Sequence, residues 1–177
     1  MKETNKIKFS KRDFEESEDI AIFIKKIDKI DKKYIDIESD ELVRSQPFLL
    51  SILLGNSVDL EIPEAEEILK IYFLIWEFFK HKKNIIRIKL TEKQFEKKLS
   101  KNVQYFKYLE IESKEDIGIA YTSDLRNINS KALLSAILIK FNNQTALVKM
   151  KTKIKAVVFI GIKSIIECFE DIIMEKT

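Results

Sequence analysis

The chain has 177 residues with 45% hydrophobic and 34% charged side chains, the balance of a single water-soluble globular domain, and its formal net charge is only +3. One His, one Cys, three Gly and few Arg exclude the commonest routes to catalysis: a poised imidazole, an intramolecular disulfide, a Gly-lined phosphate cradle and a zinc cluster all lack their residues. The lone Cys168 and the absence of an apolar signal core behind the basic N-terminus give the expectation of a cytoplasmic protein, and the longest apolar run, AVVFIGI at 156–162, is too short to span a bilayer.

Residues 1–12 carry no periodic apolar pattern and are expected to form a flexible N-terminus ahead of one helical domain over 13–177. Over 14–34, Ile20, Phe23, Ile24, Ile27, Ile30 and Tyr34 recur at three and four, which predicts a helix with a charged outer face. The alternation in YIDIES (34–39) reads as a short extended link. A second helical stretch over 40–54 is interrupted by Pro47, so Ser45 or Gln46 is expected to cap a short apolar helix that ends at Gly55-Asn56.

Pro63 opens the best-defined helix, 63–82. Its apolar residues cover more than half of the circumference, a wider stripe than a surface helix buries. Two readings follow: the helix is central in the bundle, or part of its aromatic surface meets another chain through Phe73, Trp76, Phe78 and Phe79. Glu61, Glu64, Glu66 and Glu67 at its start and Lys80, His81, Lys82 and Lys83 at its end are what the helix dipole favours. His81 lies four residues after Glu77, but with no second His the pair is not expected to hold a metal.

Thr91 caps a further helix to about 112, carrying Phe95, Leu99, Val103, Phe106 and Leu109 on one face. Residues 113–129 read as a loop. Ser130 caps 131–141, whose run ALLSAILI faintly echoes PFLLSILL at 47–54 and leaves a duplicated helical hairpin open. A long final helix is expected over 145–175, with Leu147, Met150, Ile154, Val157 and Gly161 on its apolar face. Lys149, Lys151, Lys153 and Lys155 flank that face. They read as a solvated rim or, together with Lys82, Lys83, Arg87 and Lys89, as a nucleic-acid patch.

The whole predicts an all-α single-domain bundle of about six helices with a long C-terminal helix and the 63–82 and 145–175 helices at its centre. The expected function is a non-catalytic protein-interaction or homo-oligomeric module; the alternative is a nucleic-acid-associated protein. No cofactor and no catalytic residue is singled out, although an enzyme built on carboxylates such as Glu77 would need that side chain or His81 beside an open cleft.

Overall fold

A computed structural model of the chain describes residues 8–57, 59–111, 125 and 127–175. Among these the protein is all-α, with eight helices and no strand. They are α1 Lys11–Ile27, α2 Lys32–Ser45, α3 Pro47–Ser57, α4 Ile62–Phe79, α5 Glu92–Ile111, α6 Lys131–Asn143, α7 Thr145–Lys149 and α8 Thr152–Met174. No helix among the described residues is long and apolar enough to cross a membrane.

The larger count has local causes. α1 starts inside the stretch expected to be flexible because Ser10 and Asp13 form a capping box: the Ser10 N–H donates to the Asp13 carboxylate at 2.6 Å, and the Asp13 N–H donates back to Ser10 Oγ at 3.3 Å. Burial opposes ionisation of Asp13, but these bonds hold its carboxyl below the ordinary range. The stretch YIDIES is helical, not extended. Asp31 accepts from the Tyr34 N–H at 2.8 Å and starts α2, which buries Glu38 and Leu42 on one face. Gly55 does not end α3, which continues to Ser57.

The expected final helix is broken in two. Met150 and Lys151 adopt extended backbone (ψ 138° and 130°) between α7 and α8. The break lets Leu147 and Met150 stay buried while resetting the phase of α8, so Val157, expected on the apolar face, is 63% exposed. The predicted loop over 113–129 and the end of α5 near 112 lie largely outside the described residues, as do residues 1–7.

α4 is central, packed against α1, α3, α6, α7 and α8, while α5 lies along α8. Ion pairs fix the directions. Lys26–Glu77 (2.7 Å) and Lys82–Glu16 (3.0 Å) make α1 antiparallel to α4. Lys140–Asp28 (2.8 Å), together with the Lys131 ammonium on the Lys8 carbonyl at 3.2 Å, makes α6 parallel to α1. The loop after α4 is tied down by two buried amides. Gln46 donates to the Ile85 and Ile88 carbonyls and accepts from the Leu90 N–H. Asn84, in the left-handed region that Asn tolerates (φ 71°), donates to the Ile172 and Glu175 carbonyls at the end of α8.

Candidate functional site

The aromatic side chains of α4 belong to the core. Phe73, Trp76, Phe78 and Phe79 are all buried within the chain. Phe73 meets Tyr34 edge-on at 5.8 Å, Phe79 meets Phe169 at 5.1 Å, and the Lys82 ammonium lies 4.0 Å from the Phe78 ring centroid. The interface reading of these four residues is therefore corrected. α4 packs against five other helices and buries every residue from Ile71 to Phe79, so its wide apolar stripe is the stripe of a central element.

Buried charge is the feature that periodicity hid. Glu77 accepts from Tyr34 Oη at 2.6 Å, Lys26 Nζ at 2.7 Å and Lys80 Nζ at 3.2 Å, and Lys80 continues to Glu38 at 2.9 Å. Burial works against the Glu77 charge, but its hydrogen bonds from Lys26 and Tyr34 and the Lys80 ammonium keep its carboxyl below the ordinary range. Desolvation and the adjacent carboxylate push the Tyr34 phenol upward. Every lone pair a substrate would need on Glu77 Oε1 is thus committed to the fold. His81 stands exposed, in a bowl with Lys83, Asn84, Ile86 and Arg87, with Glu77 turned away from it into the core. Among the described residues, no three His, Cys, Asp or Glu side chains are placed to hold a metal ion.

A second polar cluster joins α5 to α8. Lys163 Nζ donates to Asn102 Oδ1 and Glu167 Oε1, each at 2.7 Å, and Asn102 Nδ2 donates to Ser164 at 3.0 Å and Glu167 at 2.9 Å. One turn on, Glu170 accepts the Ser130 N–H at 2.6 Å and so caps α6 from a distant helix. Burial raises the Glu170 carboxyl, against the pull of its bonds from Ser130 and Asn129. Its contribution to stability is thus full below about 4.5 and declines as pH rises through the folded value. Glu170→Gln keeps the acceptor and removes the charge. We expect this variant to be neutral or up to about 1 kcal/mol more stable at pH 7, and to flatten the slope of urea-unfolding stability as pH rises above about 4.5.

The two lysine clusters do not merge. Lys149 and Lys151 lie beside Glu61, Pro63 and Glu64 at the start of α4, while Lys82, Lys83, Arg87 and Lys89 follow its end, about 27 Å away along an 18-residue helix. The break between α7 and α8 also removes the shared helical rim: Lys149 ends one helix, Lys151 lies between the two, and Lys153 and Lys155 begin the next. Acidic Asp59, Glu61 and Glu64 interleave with the first cluster, and Lys82 is drawn inward onto Glu16 and Phe78. Counterion release needs contiguous uncompensated cations, and this arrangement divides them.

One solvent-open groove among the described residues is apolar. With a volume of about 320 Å³, it runs between the parallel helices α1 and α6. Small side chains make the trough, Ser17 and Ala21 from α1 and Ala132, Ser135 and Ala136 from α6. At its rim stand Phe14, 65% exposed, and Ile139, 59% exposed. Sequence periodicity shows α1 has a core face but not this one, because the trough exists only when α6, more than a hundred residues later, lies alongside. No protein-family model, curated protein or solved structure matches the chain.

Proposed function

We propose that this chain is a non-catalytic protein-interaction module that works through the groove between α1 and α6. The observation that carries the reading is the groove itself: a solvent-open trough of small side chains flanked by an exposed Phe14 and Ile139. Water-exposed aromatic and branched side chains around a concave apolar strip cost solubility unless something covers them. Two parallel ridges with alanines and serines between them suit a third helix, whose side chains fill the trough as knobs. The polar clusters support the same reading from the other side, since their carboxylates and lysines are used up in holding helices together.

The test is a photo-reactive phenylalanine analogue placed at Phe14 and, as a control, at His81, with irradiation in the native cells and sequencing of the cross-linked peptide. A discrete polypeptide adduct at position 14, absent at position 81, supports the groove. No adduct at position 14, or equal adducts at both, overturns it.

A further inference from the structure

The groove face carries a pattern that specifies its own partner. Phe14, Ser17, Ala21 and Ile24 follow the three-four spacing of a helix seam, all four line the groove, and all four lie on α1. Glu18 and Lys25 stand one heptad apart along the edge of that seam, each one residue beyond a seam position. Both are exposed, and neither has an ion-pair partner among the described residues. Lys11 and Arg12, by contrast, are already engaged by Glu15 and Glu16 at 3.4 Å and 2.9 Å.

We propose that the occupant of the groove is a second copy of this chain, with the two α1 helices crossing antiparallel about a two-fold axis midway between Glu18 and Lys25; this rests on the groove being the interaction surface. Knob and trough lie on one face, which is the requirement for a self-complementary, closed dimer. In the antiparallel crossing, Glu18 of each copy faces Lys25 of the other. A parallel crossing would place these two positions on opposite flanks of the seam, where Glu18 and Lys25 do not meet. Ala21 lies beside the axis, where a small side chain lets the helices approach closely. Phe14 lies about 11 Å from the axis along the helix, so each copy's Phe14 reaches the far end of the other's groove, where Ile139 stands. Four helices, α1 and α6 from each copy, then enclose one shared apolar seam.

Sedimentation of the full chain over about a hundredfold range of concentration tests this. The wild type is expected to dimerise reversibly. Phe14→Glu is expected to sediment as a monomer throughout while keeping its helical signal and the melting temperature of the dilute, monomeric wild type, because the residue it replaces is largely solvent-exposed. Glu18→Lys and Lys25→Glu should each weaken the dimer about tenfold. An equimolar mixture of these two variants should form a heterodimer at least as tight as wild type, and the double variant should recover homodimerisation. A wild type that stays monomeric, a dimer indifferent to Phe14→Glu, or a charge-swapped mixture that fails to pair overturns the second copy. The photo-adduct at position 14 separates this failure from the failure of the groove. An adduct with a different polypeptide leaves the groove standing, and no adduct removes both.

Discussion

Replacing Lys80 with Met is expected to destabilise the protein by about 3–5 kcal/mol at pH 7, with the melting temperature falling by roughly 10 °C at fixed protein concentration. Lys80 is 7% exposed and its ammonium lies 2.9 Å from Glu38, 3.2 Å from Glu77 and 3.6 Å from Glu41. Methionine fills the space but leaves Glu38 and Glu77 as neighbouring buried carboxylates. Glu77 retains Lys26 and Tyr34; Glu38 loses its cation. The pH dependence follows from the directions of the shifts. Desolvation opposes the Lys80 charge, but Glu38 and Glu77 raise its pKa overall, so its contribution is full below about 10.5 and is lost as pH rises through the folded value. Tyr34, also raised, behaves the same way above about 10. The Glu77 carboxyl is lowered, so its contribution is full above about 4.5 and is lost as pH falls through the folded value. Denaturant titrations should therefore show a shallower alkaline loss in Lys80→Met than in wild type. A second change, Glu38→Met, should restore a substantial part of the loss at pH 7. No recovery would mean that the network is not organised around the Lys80–Glu38 pair.

Trp76→Ala should cost about 3–5 kcal/mol and lower the melting temperature by roughly 10 °C, with α1-mediated association unchanged wherever the variant remains folded. Trp76 is fully buried on the central helix, so truncation opens a cavity among residues that cannot collapse without moving several helices. Phe14→Glu is the mirror image: association lost, and stability within about 0.5 kcal/mol of the wild-type monomer measured below its dissociation constant. The two substitutions thus separate a core aromatic from a surface one. A folded Trp76→Ala that loses association while Phe14→Glu retains it would return the binding surface to α4.

How far the sequence could be read depended on the range of the interaction. The start of α4 one residue before Pro63 and the cap of α5 were legible because their determinants are three residues apart: Glu64 accepts from the Glu61 N–H at 3.0 Å, and Gln94 accepts from the Thr91 N–H at 3.0 Å. Cys168 reads as a buried apolar side chain, and burial pushes its thiol up to about 12. The extended reading of YIDIES failed because alternation over six residues carries less weight than the Asp31 cap and the spacing of Tyr34, Glu38 and Leu42. Buried Glu77, Lys80 and Lys163 were invisible for a different reason. A helical wheel counts charge as exposure, whereas Glu77 and Lys80 are paired with Lys26 and Glu38 from other helices, and Lys163 combines Glu167 of its own helix with Asn102 of α5. The groove has the same origin, since Phe14 is an unremarkable exposed residue until Ala132, Ser135 and Ala136 are set beside it.

The most direct test of the α1–α6 face as a self-association surface is the distance between identical spin labels on the two copies. Cys168 is buried and its thiol is held protonated, so labels can be placed selectively at Ile22→Cys or Lys11→Cys, both on exposed positions of α1. The antiparallel pairing predicts a short separation, under about 20 Å, at position 22 beside the axis, and about 30 Å at position 11, with both lost on Phe14→Glu. Equal short separations at the two positions, or no intermolecular distance at either, would contradict it.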